Sequence, residues 1–192
     1  MKTIFFDIDS QLDFLYPAGA LYVPGAERIV PTIARLNRYA AANGIPVVST
    51  TDAHAENDAE FRVWPPHCVA GTTGQHKAEI TLLEKRTVVP NRECGLALDG
   101  ARQIIVEKQQ VDAFTARNFS RVVELLAADR FVVYGVVTEI CVLFAARGLL
   151  KYGKPVAIVT DAVAALTAEG SKRALEEIRG AGGTLARASE IA

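Results

Sequence analysis

FVVYGVVTEICVLFAARGLLKY, residues 131–152, contains two hydrophobic patterns in succession. Residues 131–137 carry no charge and are mostly β-branched or aromatic, which is typical of a strand buried on both faces of a parallel sheet. From Glu139 onward, apolar residues recur at helical spacing, and Gly153 stands where a glycine commonly follows a helix. The sequence therefore predicts a strand-to-helix turn near Glu139, with Cys141 in the first helical turn, where the helix dipole favours a thiolate.

Strand and helix patterns alternate along the rest of the chain. The predicted strands cover residues 3–8, 46–51, 103–107, 130–137, 155–160 and 184–188. The predicted helices lie near residues 29–40, 118–128, 139–152 and 171–179. This alternation predicts an α/β fold, a three-layer α/β/α Rossmann-like sandwich with a mainly parallel central sheet. Residues 52–100 form a long polar passage with a weak apolar patch at residues 86–89, and we expect a single domain over residues 1–192.

The charge balance and the cysteine count exclude several classes of protein. The chain has 21 basic and 22 acidic residues and no basic run, so it lacks the electrostatic footprint of a protein that binds nucleic acid or an anionic membrane surface. Three cysteines are an odd number for a disulfide framework, and the chain begins with a strand pattern rather than with the apolar segment of a signal peptide. We expect a cytoplasmic protein whose partner is a small molecule.

A candidate metal site follows the strand predicted at residues 46–51. Asp52 and His54 are separated by one residue, so in an extended segment their side chains leave the same face. His67, in the segment WPPHC, is a candidate third ligand. Nitrogen and oxygen donors that leave coordination positions open suit zinc, iron or manganese in a catalytic site. The Asp-x-His spacing alone also fits an ordinary solvated loop, so both interpretations stay open on this evidence.

The other cysteines and the third histidine receive no catalytic role from the sequence. Cys68 follows His67 and points to the opposite side of an extended segment, so we expect it to be a buried structural thiol. Cys94 lies in a predicted loop. His76 has no partner at ligand spacing, and we expect it at the surface.

Cys141 is a candidate nucleophile if a base lies beside it. Taken alone, a cysteine at such a position is more often a small core residue. Two of the three histidines belong to the candidate metal site, so a carboxylate has to serve as the base. Asp9 follows the first predicted strand and Lys108 follows the third, which places both at the same edge of a parallel sheet as Cys141. A desolvated aspartate can accept the proton of a thiol, and a lysine cation lowers the pKa of that thiol.

Five segments resemble, in order, the motifs of the isochorismatase-like cysteine hydrolases, and the nicotinamidase/pyrazinamidase branch is the most similar. The segments are DSQLDF (residues 9–14), TDAH (51–54), WPPHCVAGT (64–72), Lys108 and GVVTEICV (135–142). Five motifs in the right order are far more specific than any one of them. The resemblance spans nearly the whole chain and favours the functional interpretation of each segment.

The resemblance implies a role for each candidate residue. The implied catalytic triad is Asp9, Lys108 and Cys141. The implied ligands of one divalent transition metal, zinc or else iron or manganese, are Asp52, His54 and His67. The implied oxyanion hole is formed by backbone N–H groups at Thr138 and Cys141, next to a cis peptide bond between Val137 and Thr138. The implied lining of the substrate pocket comprises Phe14, Trp64, Val137 and Ile140.

The departures from the nicotinamidase pattern concern the substrate. Ala53 stands where nicotinamidases typically have a tryptophan, and Ile140 stands where a tyrosine is common. The segment FTAR, residues 114–117, replaces a segment that tends to resemble Tyr-Ser-x-Phe. The implied chemistry is therefore better supported than the identity of the amide.

The resemblance implies a homo-oligomeric, metal-containing amidohydrolase that releases ammonia from nicotinamide or a similar small carboxamide through a thioester. The alternative within the family is a cysteine hydrolase of a maleamate-, ureidoacrylate- or carbamoyl-type amide. An isochorismatase-type vinyl-ether hydrolase needs neither the cysteine nor the metal ligands, and a non-catalytic scaffold needs none of these residues. A redox or zinc-storage protein would have Cys-x-x-Cys or clustered Cys and His ligands, which the sequence lacks.

Overall fold

A computed structural model describes all residues from Met1 to Ala192. The strands are β1 (Thr3–Ile8), β2 (Val47–Asp52), β3 (Arg86–Val89), β4 (Gln103–Lys108), β5 (Arg130–Val136), β6 (Val156–Ala164) and β7 (Thr184–Ala186). The α-helices are α1 (Leu12–Leu15), α2 (Val30–Ala42), α3 (Phe119–Leu126), α4 (Leu143–Leu150) and α5 (Ala168–Gly180). With at most 13 residues, no helix has the length and apolar character that a membrane span needs.

The seven strands form one sheet in the order β3-β4-β2-β1-β5-β6-β7, and every neighbouring pair is parallel. Side chains alternate between the two faces of this sheet, so each face has its own apolar core. Ile4, Phe6 and Ile8 of β1 pack on the side of α3, α4 and α5, whereas Phe5 packs on the side of α2. The α/β prediction is therefore confirmed, with an entirely parallel sheet flanked by helices.

The carboxyl ends of β1 and β5 lie unusually close together. Ile8 pairs with Gly135, whose φ is 117°, and a Cβ atom added to this glycine would lie 2.0 Å from the Ile8 carbonyl oxygen. Only a glycine fits such a close approach of two backbones. The contact brings the segment after β1, which begins with Asp9, next to the turn that contains Cys141.

The sequence pattern did not predict β3, which it showed only as a weak apolar patch. Its four residues lie at the edge of the sheet, and only Val89 among them is buried. A short edge strand that is mostly exposed has little reason to show an apolar pattern. The pattern also ended β6 too early, at residue 160, because the strand continues to Ala164 with partly exposed residues.

The segment after β5 differs from the predicted first turn of a helix. Thr138–Val142 forms a π-helical turn, and α4 begins only at Leu143. The N–H of Val142 donates to the carbonyl of Val137 at 3.1 Å, which is the wider spacing of a π turn. The cis peptide bond joins Val136 and Val137, so the prediction of a cis bond between Val137 and Thr138 is wrong by one residue. The strand ladder ends at Val136, and the backbone changes direction there.

Candidate active site and metal centre

Four neighbouring strands place the candidate site residues at one edge of the sheet. Asp9 follows β1, Asp52 ends β2, Lys108 ends β4, and Cys141 lies in the π-helical turn after β5. All four side chains are buried. Because β4, β2, β1 and β5 are adjacent, residues that are far apart in sequence meet at the carboxyl edge where sites of parallel sheets occur.

Lys108 joins the other two members of the candidate triad to the candidate metal ligand Asp52. Its Nζ is 2.9 Å from Asp9 Oδ2, 2.5 Å from Asp52 Oδ1 and 3.8 Å from Cys141 Sγ. Burial lowers the pKa of Lys108, but the two carboxylates outweigh this effect and raise its pKa well above the usual value. Lys108 is therefore a permanent cation that contacts both carboxylates and the thiol.

Asp9 combines a fixed carboxyl orientation with a free acceptor atom. Its backbone has a φ of 48°, and its Oδ1 accepts a hydrogen bond from Thr50 Oγ1 at 2.6 Å. Its Oδ2 is buried, lies 2.9 Å from Lys108 Nζ and has no other polar partner. Burial raises the pKa of Asp9, and the charge of Lys108 only partly opposes this rise. The result is a desolvated carboxylate that has a lone pair available for a proton.

The thiol of Cys141 is not stabilised as a thiolate in the free site. Burial raises the pKa of Cys141 well above its usual range; Lys108 opposes the rise, and the charges of Asp9 and Asp52 add to it. The predicted effect of the lysine is confirmed in direction, since Lys108 lowers the pKa of this thiol, but burial outweighs it. The π-helical turn also places Cys141 before α4 rather than in its first turn. A base must remove this proton during the reaction.

Asp52, His54 and His67 form a buried cluster of donor atoms. One donor atom from each residue lies within 4.8 Å of the other two, and the Nε2 atom of each histidine is 3.8 Å from Asp52 Oδ2. The backbone explains how His67 arrives there, because His54 exchanges hydrogen bonds with Cys68 and Ala70, at 3.1 and 2.9 Å. The structure thus brings together the three residues that the sequence suggested as ligands.

The hydrogen bonds around the two histidines fit a divalent cation. His67 Nδ1 donates to the carbonyl of Pro65 at 2.8 Å, which leaves the lone pair of Nε2 free to face Asp52. Neither nitrogen of the fully buried His54 makes a hydrogen bond, although Nδ1 lies 3.1 Å from Asp58 Oδ2. Buried polar atoms almost always have a partner, so the unpartnered Nε2 of His54 indicates a ligand between it and Asp52. Two imidazoles and one carboxylate can hold zinc, iron or manganese and leave coordination positions open.

Two residues that the sequence interpretation left without a role hold the ligand segments in place. Gln11 Oε1 accepts the N–H of Asp52 at 2.7 Å, and its Nε2 donates to the Asp52 carbonyl at 2.9 Å. Asp13 Oδ2 accepts the N–H of Cys68, the residue after His67, at 2.6 Å. Both belong to the DSQLDF motif, so the signal was present, but their partners could not be identified without the fold.

A narrow pocket separates the metal-site cluster from Cys141. Its lining contains all four predicted pocket residues and five that were missed, and it has no lysine or arginine. The predicted members are Phe14, Trp64, Val137 and Ile140, and the missed members are Leu21, Val23, Glu60, Val111 and Leu166. The missed residues lie in loops far apart in sequence, so no local pattern indicates that they share a cavity.

The remaining cysteines and the third histidine lie where the sequence predicted. Cys68 is fully buried, and burial raises the pKa of its thiol far above the usual value, so it is an unreactive structural residue. Cys94 is half-buried and accepts a weak hydrogen bond from Asn118 Nδ2 at 3.6 Å. His76 is exposed.

Comparisons with known proteins agree with this geometry. Residues 3–190 match the family model described as the Isochorismatase domain. The chain is 25% identical to the nicotinamidase of Escherichia coli (strain K12), over 93% of this chain and 91% of that protein. The zinc complex of the pyrazinamidase of Pyrococcus horikoshii superposes with a TM-score of 0.83 at 28% identity, covering 97% of this chain and 99% of the other. The nicotinamidase of Bacillus subtilis superposes with a TM-score of 0.84 at 28% identity, covering 97% and 100%.

Proposed function

Because the chain belongs to the isochorismatase family, we propose that it is a metal-containing cysteine amidohydrolase that releases ammonia from nicotinamide or a similar small carboxamide. The observation that supports this proposal most directly is the buried contact of Lys108 Nζ with both Asp9 Oδ2, at 2.9 Å, and the Cys141 thiol, at 3.8 Å, because it gathers a carboxylate, a cation and a sulfur in one place. Three relatives at 25–28% identity are named nicotinamidases or pyrazinamidases, which supports the choice of substrate class.

In the first step of the proposed reaction, Asp9 removes the proton of Cys141. Because burial raises the pKa of this thiol, little thiolate exists beforehand, and proton transfer accompanies attack on the amide carbon. Lys108 contacts both groups, so it stabilises the thiolate as negative charge moves from the carboxylate to the sulfur. This step forms the bond between Sγ and the carbonyl carbon.

The tetrahedral intermediate then needs donors for its oxyanion. We assign this role to backbone N–H groups at Thr138 and Cys141 in the π-helical turn. The N–H of Ile140 is not available, because it donates to the Val137 carbonyl at 3.0 Å. Asp9, now protonated, gives its proton to the leaving nitrogen, the carbon–nitrogen bond breaks, and ammonia leaves a thioester on Cys141.

Hydrolysis of the thioester uses the same carboxylate. Asp9 is again unprotonated and removes a proton from the attacking water, and the thiolate of Cys141 leaves as the carboxylic acid forms. The proton then returns from Asp9 to the sulfur. In each step of the proposed cycle, the transferred proton is thus accepted or donated by Asp9.

The residues that would hold the metal are Asp52, His54 and His67. When bound there, a divalent ion supplies an electrophilic site for a ring nitrogen or another polar end of the substrate, or for water. Gln11 keeps the backbone of Asp52 in place, and Asp13 keeps the segment of His67 in place. The pocket is therefore polar near Asp52 and His67, and its lining between these residues and Cys141 is mostly apolar.

The lining of the pocket favours a neutral substrate over an anionic one. Maleamate-, ureidoacrylate- and carbamoyl-type amides of this family typically contain a carboxylate, which needs a cationic partner when it is buried. Apart from the metal ion proposed at Asp52, His54 and His67, the pocket offers no cationic partner for such a group. It contains the carboxylates of Asp52 and Glu60 and no lysine or arginine, and Lys108 is already paired with Asp9 and Asp52.

Ammonia release from a matched set of amides tests this proposal. Nicotinamide and pyrazinamide should be hydrolysed, whereas maleamate, ureidoacrylate and N-carbamoyl amino acids should react at least about 100-fold more slowly in kcat/KM, since an unpaired buried charge costs several kcal/mol. Faster hydrolysis of maleamate, ureidoacrylate or N-carbamoyl amino acids would instead assign the protein to the family members that act on these anionic amides. No ammonia from any of these amides would contradict the amidohydrolase proposal itself.

The metal assignment predicts that His54→Ala lowers metal content. The purified wild-type protein should contain about one divalent transition metal ion per chain, because three protein ligands with open positions form one site. His54→Ala should lose most of it, and elemental analysis measures both amounts. His76→Ala is the matched control, because His76 is the exposed histidine outside the cluster and its loss should leave the metal in place. Wild-type occupancy in His54→Ala would remove this residue from the ligand set.

A further inference from the structure

We propose that Glu139 is a positioning residue for substrate binding, because its carboxylate holds Leu166 in place as a wall of the pocket beside Cys141. This inference rests on the proposed function and extends it to a residue outside the predicted site. Leu166 lines the pocket together with Ile140 and Cys141, whereas Glu139 is not part of the lining. The π-helical turn is joined to the segment between β6 and α5 by side-chain hydrogen bonds.

Glu139 makes the central link between these two segments. Its Oε1 accepts the backbone N–H groups of Leu166 and Thr167, each at 3.1 Å. These groups precede α5 and have no carbonyl partner within that helix. A second link runs parallel to the first, because Thr138 Oγ1 donates to the Ala164 carbonyl at 2.9 Å. Two consecutive residues of the turn therefore hold the segment that contains Leu166.

The first turn of α5 is shaped around the carboxylate of Glu139. A Cβ atom added to Gly170 would lie 2.5 Å from Glu139 Oε1, so a larger residue there would displace the carboxylate. Thr167 caps the helix by itself, since its Oγ1 accepts the N–H of Gly170 at 2.9 Å. Glu139 is therefore not needed as the cap of α5, and its two hydrogen bonds act on the loop before the helix. The amino end of this helix also favours a negative charge beside it.

The geometry determines which kinetic constant responds to a change at Glu139. Asp9 and Lys108 lie at the ends of β1 and β4, and the π-helical turn that holds Cys141 has its own hydrogen bonds to the Val137 carbonyl, so we expect the three groups to move little when the loop at Leu166 moves. A displaced Leu166 loosens the pocket around the substrate in the ground state and the transition state alike. Uniform loss of binding raises KM with little change in kcat. A purely structural role of Glu139 would instead lower the amount of folded enzyme and leave KM unchanged.

The kinetic test uses nicotinamide and four variants. Glu139→Ala should raise KM by about tenfold, a change in equilibrium comparable to the net contribution of one hydrogen bond, with kcat within about threefold of the wild type. Glu139→Gln keeps an oxygen that can accept both N–H groups, so its KM should lie between those of the wild type and Glu139→Ala. Leu166→Ala should raise KM similarly, and the double variant Glu139→Ala/Leu166→Ala should be no worse than either single variant. Strictly additive effects would show that Glu139 does not act through Leu166.

Asp161→Ala is the matched control for stability. Asp161 lies on β6 and, like Glu139, accepts a backbone N–H from a distant segment: its Oδ1 accepts the N–H of Ala188 at 2.7 Å. Neither Asp161 nor Ala188 lines the pocket. The loss of this carboxylate should lower Tm and leave KM unchanged. The same lowering of Tm in Glu139→Ala without a change in KM would overturn the positioning role.

Amide hydrogen exchange separates a failure of this inference from a failure of the proposed function. In the wild type, the N–H groups of Leu166 and Thr167 should be protected, and Glu139→Ala should accelerate their exchange by at least about tenfold, while the N–H of Ala188 stays unchanged. Accelerated exchange in a protein that hydrolyses none of the amides would refute the proposed function and retain the contact. Unchanged exchange at Leu166 would overturn the inference, whatever the activity of the enzyme.

Discussion

Cys141→Ala is expected to abolish amide hydrolysis while the fold and the metal content stay those of the wild type. The variant lacks the sulfur that lies 3.8 Å from Lys108 Nζ, and loss of a nucleophile that works together with its base costs several orders of magnitude, roughly 10⁴-fold or more in kcat. The change from cysteine to alanine removes one buried atom and no hydrogen-bonded backbone group. Ammonia release, circular dichroism and elemental analysis on the same preparation measure the three properties.

The other two cysteines provide the control for this experiment. Cys94→Ala should keep its activity, because Cys94 contacts Asn118 and lies outside the pocket. Wild-type enzyme quenched during turnover should show, by mass spectrometry, an acyl group on Cys141 and none on Cys68 or Cys94. An active Cys141→Ala variant would refute the thioester mechanism and make a water molecule the nucleophile.

The residues that meet at the carboxyl edge of the sheet could be predicted from the sequence because strand ends are local features. Asp9, Asp52 and Lys108 each follow or end a strand that the sequence pattern predicted, and parallel strands bring such ends to one edge. The close approach of β1 and β5 at Gly135 could not be predicted, since it depends on which strands become neighbours. Strand order is a property of the whole chain.

The turn around Cys141 shows the limit of periodicity as a signal. Apolar spacing over five residues does not distinguish a π-helical turn from an α-helical one, so the predicted helix began too early. The raised pKa of the thiol was missed for a different reason. The sequence showed the opposing lysine, but the extent of burial depends on loops packed over the site, which include Leu21 and Leu166.

The pocket wall illustrates the same division between local and tertiary information. Phe14 and Ile140 belong to motifs that surround charged site residues, so they could be identified in advance. Leu166 lies in a loop without such a motif, and its place depends on two hydrogen bonds to Glu139. Under the proposed function, the pocket wall therefore includes residues that carry no sequence motif of their own, whereas the proposed reacting groups do belong to motifs.

Asp9→Asn is expected to be nearly inactive, with kcat lowered by about 10²- to 10⁴-fold, the usual contribution of a general acid–base group. The side-chain amide of the variant can still accept the hydrogen bond that Thr50 Oγ1 donates to Asp9 Oδ1 at 2.6 Å in the wild type. It cannot take the proton of Cys141 and return it to the leaving nitrogen. Steady-state ammonia release measures the loss, and the melting temperature and metal content establish that the variant is folded.

The reactivity of Cys141 toward iodoacetamide distinguishes loss of the base from general damage to the site. The negative charge of Asp9 raises the pKa of the thiol, and Lys108 lowers it. Removal of that charge leaves Lys108 beside the sulfur, so the pKa falls and more thiolate is present at neutral pH. Asp9→Asn should therefore be alkylated at Cys141 faster than the wild type while it hydrolyses amides far more slowly. Slower alkylation together with slower hydrolysis would indicate a distorted site, and near-normal hydrolysis would show that Asp9 is not the base.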